Sequence, residues 1–464
     1  MVPERLRPIL IETAPLAERF AAAGHRTYLV GGIVRDLLLG RPLADATDID
    51  LTTDARPEET KDIVSGWADH VWTQGERFGT IGVAKAGRTF EITTHRAEAY
   101  VPESRKPSVA FADAIEVDLS RRDFTVNAMA LHLGADPAAE PELIDPFGGV
   151  ADLGGRVLRT PRSPAESFDD DPLRMLRAAR FVAGYELQPD PAMVDAIRDM
   201  AERLTIVSAE RIRDELDKLL VVEDPSAGLW LLVDTGLVEH IVPELAAMRL
   251  EQDPIHRHKD VLAHTLAVVA KTRPERIVRL AALFHDVGKP KTRSIGPDGV
   301  SFHHHEVVGA RMTRDRMRAL KYPNDDIEAV SRLVYLHLRF HTYQMGWTDS
   351  AVRRFVRDAG PLLDELIELT RCDCTTRNER KARALGRRMD ELEARIAVLA
   401  EAEELAAIRP DLDGRQVMDH LGLEPGPAVG LALDFLLELR LDEGPLGEDE
   451  AYRRLDAWWE ARNS

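Results

Sequence analysis

The sequence of 464 residues predicts an α+β protein in which a small mixed sheet is followed by an all-helical remainder. Short apolar stretches between turn residues, which are typical of strands, are concentrated in roughly the first 160 residues. Helical periodicity of apolar residues dominates from about residue 165 onward. Aromatic residues make up only 6% of the chain, which favours a largely helical protein over an all-β one.

The individual elements follow from these local patterns. Apolar runs bounded by turn residues predict strands at 28–30, 48–51, 79–85 and 89–94. Periods of three to four residues predict helices at 1–20, 33–39, 172–183 and 209–221. The tail is helical, with a Gly/Pro break at 423–427. We predict four domains: a head (1–160), a helical neck (161–252), a His-rich helical domain (253–378) and a helical tail (379–464).

Length and composition are those of a multidomain globular protein, with 44% hydrophobic and 30% charged residues. No apolar run is long enough to cross a bilayer, and the N-terminus lacks a signal-peptide pattern, so we expect a cytoplasmic protein. Cys372 and Cys374 are separated by one residue. A disulfide at that spacing is strained and two cysteines do not complete a zinc site, so we expect both to be reduced.

The formal net charge of -19 counts against a polyanionic partner, because nucleic-acid-binding proteins usually carry a basic excess. A local basic patch can still bind RNA, and the motifs described below outweigh the global charge. If RNA is bound, its phosphates must meet arginines clustered between head and neck. The candidates are Arg121, Arg122, Arg156, Arg159, Arg174, Arg177 and Arg180.

The head contains two features suited to a nucleoside triphosphate. Gly31 and Gly32 stand where a predicted strand meets a helix, where backbone N–H groups can approach an anion, and Arg35 can add a charged contact. Asp48 and Asp50 flank an apolar residue on a predicted strand, so both carboxylates face one side. Two carboxylates in one cleft repel unless a cation lies between them, and Mg²⁺ bridging to a triphosphate would supply that cation.

Four motifs in order over roughly 180 residues resemble the DNA polymerase beta superfamily, and within it the bacterial class II CCA-adding enzyme and poly(A) polymerase family. The motifs are residues 31–36 (GGIVRD) with 48–53 (DIDLTT), 121–130 (RRDFTVNAMA), 145–149 (DPFGG) and 170–181 (DDPLRMLRAARF). The resemblance implies a nucleotidyltransferase head that uses CTP and ATP to extend tRNA. The family usually has Glu at the position of Asp170, so the role of Asp170 is left open.

The resemblance also implies roles for single residues. Asp48 and Asp50 would bind the catalytic Mg²⁺ ions, and Glu91 is our candidate for a third carboxylate. The incoming nucleotide would be contacted by Gly31, Gly32, Arg35 and Arg122, and its base and phosphates by Asp171, Arg174, Arg177 and Arg180.

Asp171 and Arg174 lie three residues apart and therefore on one face of a predicted helix. Cytosine and adenine each present an amino donor beside a ring-nitrogen acceptor, which a carboxylate and a guanidinium match. Guanine and uracil present the reverse polarity and would leave buried charges unpaired, at about 1–3 kcal/mol or more. This pair can therefore select CTP and ATP without a nucleic-acid template.

A second resemblance, to the HD phosphohydrolase superfamily, rests on His285 and Asp286 after an apolar helix. It implies a metal site completed by His264 and Asp373, with His256 and His258 as competitors for the first position. His305 and His337 look like the extra ligands of the two-metal branch. Imidazole and carboxylate ligands favour a divalent transition metal (Mn, Fe, Ni, Co or Zn) over Mg²⁺. Whether this domain hydrolyses phosphate esters or is vestigial stays open.

Several alternatives remain at this stage. A poly(A) polymerase is built from the same motifs, although residues 75–83 (GERFGTIGV) look more like the CCA- or A-adding type. An enzyme that adds only A is also open. An HD phosphohydrolase whose head merely binds RNA is disfavoured by the intact Asp48 and Asp50 pair. A small-molecule nucleotidyltransferase is disfavoured by the full base-reading motif and the helical tail. The Gly/Pro break at 423–427 is equally compatible with a plain helix–helix turn and with an RNA contact.

Overall fold

The computed structural model describes residues 6–41, 48–99, 108–250, 260–296, 299–340, 347–374, 379–403 and 408–463. The chain forms two compact units, described separately below. The first consists of residues 1–219 and 227–241, and the second of residues 220–226 and 242–464. His256 and His258 lie outside the described residues. The finer division into four domains stays a prediction.

A seven-stranded mixed sheet is the centre of the first unit. In chain order its strands are β1 (Thr27–Val30), β2 (Ile49–Thr53), β3 (His70–Trp72), β4 (Thr80–Lys85), β5 (Arg88–Thr94), β8 (Ala130–His132) and β9 (Leu143–Ile144). They are arranged β3-β4-β5-β2-β1-β8-β9, and β2 and β5 run parallel while the other neighbours are antiparallel. The predicted fold class, a mixed-sheet head followed by helices, is confirmed.

Short strand pairs accompany the main sheet. They are β6 (Arg96–Ala99) with β7 (Ser108–Phe111), β10 (Val157–Leu158) with β11 (Gln188–Pro189) and, in the second unit, β12 (Arg293–Gly296) with β13 (Gly299–Phe302).

Helices pack against both faces of the main sheet and form most of the rest of the first unit. They are α1 (Arg7–Ala22), α2 (Gly32–Leu38), α3 (Pro57–Val64), α4 (Ile115–Ser120), α5 (Gly149–Gly155), α6 (Pro164–Asp170), α7 (Leu173–Gly184), α8 (Pro191–Met200), α9 (Ala209–Leu220), α10 (Ser226–Asp234) and α11 (Leu237–Ile241). Helix α6 begins at a capping box in which Ser163 and Glu166 satisfy each other's backbone N–H groups.

The second unit is almost entirely helical. Its helices are α12 (Pro243–Ala246), α13 (Val261–Lys271), α14 (Arg276–Phe284), α15 (Lys289–Thr292), α16 (His305–Ala319), α17 (Asn324–Leu336), α18 (Asp349–Ala359), α19 (Leu363–Asp373), α20 (Glu379–Glu403), α21 (Gly414–Leu421), α22 (Pro427–Glu443) and α23 (Glu448–Asn463). The last three share their own core cluster, which includes Leu412, Val417 and Leu436. No helix in the described part of the chain is long and apolar enough to cross a membrane.

Alternation along the central strands separates a core face from a polar face. Ile49 and Leu51 of β2 belong to one buried cluster with residues of α1, α2 and α3, and β5 contributes Phe90 and Ile92 in the same way. Because successive side chains of a strand point to opposite faces, the residues between them lie on the other face. Asp50 on β2 and Glu91 on β5 therefore point away from the helices of this cluster.

Each strand predicted from the sequence is present within two residues of its predicted bounds. The largest difference is that β2 ends at Thr53, two residues later than predicted. The strand begins at Ile49, so Asp48 immediately precedes it. Strands β3, β8 and β9 were not expected, because two or three residues are too few to display a period.

Candidate active site and metal cluster

A cleft of about 360 Å³ opens on the polar face of the sheet in the first unit. Charged side chains from the sheet, from the segment after α4, and from α7 and α9 line it. They are Asp50, Glu91, Arg96, Arg121, Arg122, Asp123, Asp171, Arg174, Arg177 and Arg211. Asp50 of the predicted acidic pair and three residues of the predicted base-reading motif, more than 100 residues apart in the chain, thus share one cleft.

The pairing register of two neighbouring strands brings the acidic side chains of the cleft together. Asp50 and Glu91 are direct partners on the parallel strands β2 and β5, which places their side chains on one face at a strand spacing of about 4.8 Å. Although Asp50 is exposed to the cleft, the loss of solvation there raises the pKa of its carboxyl to about 6, and the charges of Glu91 and Asp48 add to the rise. The three carboxylates therefore concentrate negative charge where a cation would relieve it.

A buried carboxylate holds two arginines beside this acidic end. Asp118, fully buried, accepts hydrogen bonds from Arg121 at 2.9 Å and from Arg122 at 3.1 Å. Burial opposes ionisation of Asp118, but the two guanidinium groups, with Arg122 first, hold the pKa of that carboxyl well below its usual range. Gly31 adopts φ +73°, and an added Cβ there would stand 2.9 Å from the Arg122 guanidinium. Gly31 therefore leaves room for Arg122 to reach the cleft.

The base-reading motif contributes Asp171 and Arg174 to the opposite side of the cleft. Asp171 accepts a 2.7 Å hydrogen bond from Arg211 of α9 and a 3.1 Å bond from the Leu173 backbone N–H. Arg174 is nearly buried and donates to the Ser167 hydroxyl at 2.9 Å and to the Arg121 carbonyl at 2.6 Å. Both side chains are thus held by separate partners rather than by each other.

Other predicted nucleotide contacts are placed differently. Arg177 lines the cleft and pairs with Asp123 at 2.5 Å, whereas Arg180 donates to Glu215 at 2.8 Å. Arg35 is 5% exposed and is held within the first unit by Asp36, Asn127 and Tyr185. Gly32 opens α2, and the Arg35 guanidinium lies over it. All of the predicted nucleotide contacts stay predictions, and Gly32, Arg35 and Arg180 do not line the cleft.

In the second unit, six predicted ligands meet in one buried pocket. His264 lies on α13, His285 and Asp286 follow α14, His305 begins α16, His337 follows α17 and Asp373 ends α19. Two groups of three can each hold a metal ion, and they share Asp286: one includes His264 and His285, the other His305 and His337. Asp373 Oδ1 lies 2.9 Å from His264 Nε2, beside the first group.

Backbone carbonyls orient three of these imidazoles. His285, His305 and His337 each place Nδ1 at 2.6 to 2.8 Å from the carbonyl oxygen three residues earlier. A carbonyl only accepts, so Nδ1 carries the proton and Nε2 is left as a ligand atom. Within the described residues, the buried Nε2 atoms of His305 and His337 have no hydrogen-bond partner. Buried polar atoms rarely stay unsatisfied, so their arrangement fits a metal ion.

Electrostatics in this pocket also favour a cation. Burial disfavours a charged His285, yet the carboxylates of Asp286 and Asp373 outweigh burial and raise its pKa to about 10. For His337, burial and then the charge of His285 lower the pKa to about 3, which leaves a neutral imidazole. Lys289 lies 2.6 Å from Asp286 Oδ2 and partly balances the acidic charge.

Sequence reasoning missed Asp118, Arg211 and Lys289. Each acts through a partner that was predicted, and no local pattern distinguishes it from an ordinary surface charge. Spacing gives a weak signal for two of them, because Lys289 follows Asp286 by three residues and Asp118 precedes the two arginines by three and four residues. Fold and site together define a nucleotidyltransferase that carries an HD domain.

Comparisons with known proteins agree in order and extent. The Poly A polymerase head domain matches residues 27–159, the probable RNA and SrmB-binding site of polymerase A matches 186–249, and the HD domain matches 261–405. The A-adding tRNA nucleotidyltransferase of Deinococcus radiodurans is 35% identical over 93% of this chain and 95% of its own length. The chain therefore belongs to the tRNA nucleotidyltransferase family.

Further relatives are named CCA-adding enzymes. That of Streptococcus pyogenes serotype M4 is 30% identical over 94% of this chain and 93% of its own length. That of Streptococcus suis is 39% identical, over 51% of this chain and 55% of its own length. Among solved structures, the Bacillus stearothermophilus CCA-adding enzyme in complex with CTP is similar over 98% of this chain and 99% of that one, with a TM-score of 0.71 and 26% identity.

Proposed function

We propose that this protein builds the CCA end of tRNA from CTP and ATP without a nucleic-acid template. One observation carries the proposal: a single cleft joins the carboxylates of Asp50 and Glu91 to Arg122 and to the pair Asp171 and Arg174. The names of the relatives support the same activity, and solved relatives in complex with CTP, ATP and tRNA share the fold. The cytoplasm is the proposed site of action.

Asp48 and Asp50, with Glu91 beside them, would hold Mg²⁺. The fit rests on their oxygen donors, which Mg²⁺ prefers, and on the raised pKa of Asp50, which the loss of solvation and then the charge of Glu91 produce. When bound, Mg²⁺ polarises the α-phosphate and neutralises the charge that develops in transfer. In the reaction, the 3′-oxygen of the RNA forms a bond to the α-phosphorus as the bond to pyrophosphate breaks. Arg122, held by Asp118, offers its charge to the phosphates.

Asp171 and Arg174 select the base of the incoming nucleotide. The Asp171 carboxylate accepts from the amino group of cytosine or adenine, and the Arg174 guanidinium donates to the neighbouring ring nitrogen. The hydrogen bond from Arg211 orients the Asp171 carboxylate. UTP and GTP present the opposite donor and acceptor order and would be excluded.

The direct test is extension of tRNA that lacks its 3′ end, with CTP alone, ATP alone and both together. We expect CTP alone to yield two added residues, and both nucleotides to yield three. UTP and GTP should support no addition. Continued addition of A beyond the third residue would instead indicate a poly(A) polymerase.

A second candidate, addition of A alone, is favoured by one observation: the 35% identical relative from Deinococcus radiodurans is named an A-adding enzyme. The same assay separates the two. An A-adding enzyme would leave tRNA without its CC residues unextended in CTP and would add one A to tRNA that ends in CC.

For the second unit we propose a divalent transition metal centre that hydrolyses phosphate esters. The two ligand groups that share Asp286, and the inward Nε2 atoms of His305 and His337, support it. When bound, such metals activate water for attack on phosphorus. Hydrolysis of a model phosphodiester after addition of Mn²⁺, Ni²⁺ or Co²⁺ tests the proposal. Metal binding without hydrolysis would indicate a structural centre.

A further inference from the structure

A row of directly paired residues crosses the polar face of the main sheet. Asp50 on β2 pairs with Glu91 on β5, Glu91 with Gly82 on β4, and Gly82 with Trp72 on β3. Paired residues point to the same face, so the indole of Trp72 belongs to the face that carries the catalytic carboxylates. At a strand spacing of about 4.8 Å, Trp72 lies roughly 10 Å from Glu91.

Gly82 leaves the space in which this indole lies. A Cβ added at Gly82 would stand 2.0 Å from the Trp72 ring, so the ring lies directly against the strand where the side chain is missing. Trp72 is nevertheless 37% exposed, and nearby Phe78 is 39% exposed. Two large aromatic side chains left open to solvent beside a catalytic centre are more than the core requires, because β4 and β5 pack their core residues on the other face. The core cluster on this face lies at β1, β8 and α4.

A second cavity of about 360 Å³ runs over these aromatics. We call it the aromatic groove; it is lined by Trp72, Phe78, Thr80, Gly82, Glu91 and Arg96 among others. Glu91 and Arg96 border both this groove and the nucleotide cleft, so the two cavities are adjacent. In the sheet order, β3 and β4 lie on one side of β5, whereas β2 and β1 lie on the side of the arginine-lined cleft.

We propose that the aromatic groove binds the 3′-terminal nucleotides of the RNA, with Trp72 as a base-stacking platform. The inference rests on the proposed function. In-line transfer requires the attacking 3′-oxygen on the side of the α-phosphate opposite to pyrophosphate, and the arginines and base-reading pair occupy the nucleotide cleft. The groove across the carboxylates is therefore the side left for the RNA.

Stacking also suits the changing end of this substrate. The terminal base differs before and after each addition, so hydrogen-bond recognition of one base would fail at the next step. Stacking on an aromatic ring tolerates any base, because every base has a π-face. Arg96, whose guanidinium donates a 2.7 Å hydrogen bond to Thr80, adds positive charge at the junction of the two cavities.

The kinetic test separates RNA binding from nucleotide binding in the full-length enzyme. For Trp72→Ala we expect the KM for tRNA lacking its 3′ end to rise on the order of tenfold, with the KM for CTP unchanged. Trp72→Phe should restore most of the affinity. Val71→Ala is the matched control, because Val71 is 43% exposed on the same strand and points to the opposite face. An unchanged KM for tRNA in Trp72→Ala would overturn the proposal.

A binding test without turnover uses tRNA that carries 2-aminopurine at its 3′-terminal position. Wild type and Trp72→Phe should quench its fluorescence by stacking, and Trp72→Ala should not. Gly82→Ala keeps the tryptophan but displaces its ring. As a single substitution it should therefore raise the KM for tRNA, and when combined with Trp72→Ala it should have little further effect. Additive effects of the two substitutions, or quenching retained in Trp72→Ala, would contradict a platform at Trp72. Wild type that adds no nucleotide to tRNA would instead refute the proposed function itself.

Discussion

Asp50 and Glu91 face each other across the parallel strands β2 and β5, and the charge of Glu91 adds to the loss of solvation that raises the pKa of Asp50 to about 6. Carboxylates arranged in this way weaken the unliganded fold and strengthen its attraction for a cation. Carboxylate repulsion thus destabilises the unliganded head at the site where the proposed chemistry needs Mg²⁺.

This arrangement predicts opposite effects of Asp50→Asn on stability and on metal binding. Removing one charge relieves repulsion, so the melting temperature of the variant in EDTA should exceed that of wild type. Mg²⁺ should raise the melting temperature of wild type and have little effect on the variant. Thermal unfolding with and without Mg²⁺ measures both. Asp195→Asn, on the exposed surface of α8, is the control and should behave like wild type. Equal Mg²⁺ stabilisation of Asp50→Asn would exclude Asp50 as a ligand.

Asp118→Asn should destabilise the head by about 3–5 kcal/mol, because it leaves two partly buried arginines without their carboxylate. Denaturant unfolding at pH 7 measures the loss. Asp113→Asn, at a carboxylate that is 89% exposed, should cost less than about 1 kcal/mol.

The Asp118 contribution should also depend on pH. Arg122, Arg121 and the Arg96 N–H face this carboxylate and depress its folded pKa, while His95 lies nearby. Its stabilisation is therefore complete above the unfolded pKa of about 3.9 and declines as the pH falls toward the folded value. The difference in unfolding free energy between wild type and Asp118→Asn should be smaller at pH 3 than at pH 7. A difference that grows in acid would contradict the assignment.

Arg174→Ala should weaken discrimination against UTP and GTP by roughly ten- to hundredfold, the equivalent of about 1–3 kcal/mol. Affinity for the triphosphate should fall less, because Arg122 remains in the cleft. Ratios of kcat/KM for the four nucleotides provide the measurement. Arg203→Ala, at an exposed ion pair with Asp169, serves as the matched control. Unchanged discrimination against UTP and GTP in Arg174→Ala would show that other residues select the base.

His337→Ala and His285→Ala should lower transition metal content without abolishing nucleotide addition. Loss of an outer-shell partner already costs about 10- to 100-fold in metal affinity, so loss of a direct ligand should cost at least as much. His304→Ala is the control, since that side chain is 83% exposed beside His305. Elemental analysis of the purified proteins measures their metal content. Equal metal content in wild type and in all variants would refute the ligand set.

Much of the catalytic end could be predicted from the sequence because its signals are local. Alternation around Asp48 and Asp50, and around Glu91, is enough to orient the carboxylates once the strands are placed. The parallel pairing of β2 with β5 could not be predicted, since strand order depends on contacts about 40 residues apart. The geometry that couples Asp50 to Glu91 therefore emerges only in three dimensions.

Buried arginines illustrate the same limit. Arg279 appears in the sequence as one charge within an apolar helix, yet it is 1% exposed and donates to the carbonyls of Leu220, Val222 and Thr272. Its partners lie as far as 59 residues away and are backbone atoms, which leave no trace in side-chain patterns. Arg35 was expected in the nucleotide site because it follows the glycines, and its hydrogen bonds to Asn127 and Tyr185, 92 and 150 residues away, could not be predicted from the sequence.

The most direct test of the central claim compares wild type with Asp50→Asn in single-turnover addition of CMP to tRNA that lacks its 3′ end. The cleft described here predicts that the variant binds this tRNA with an affinity close to that of wild type. It also predicts a rate of addition at least about a thousandfold lower, since a metal ligand contributes several kcal/mol to the transition state. Addition by Asp50→Asn at a rate near that of wild type would contradict the account.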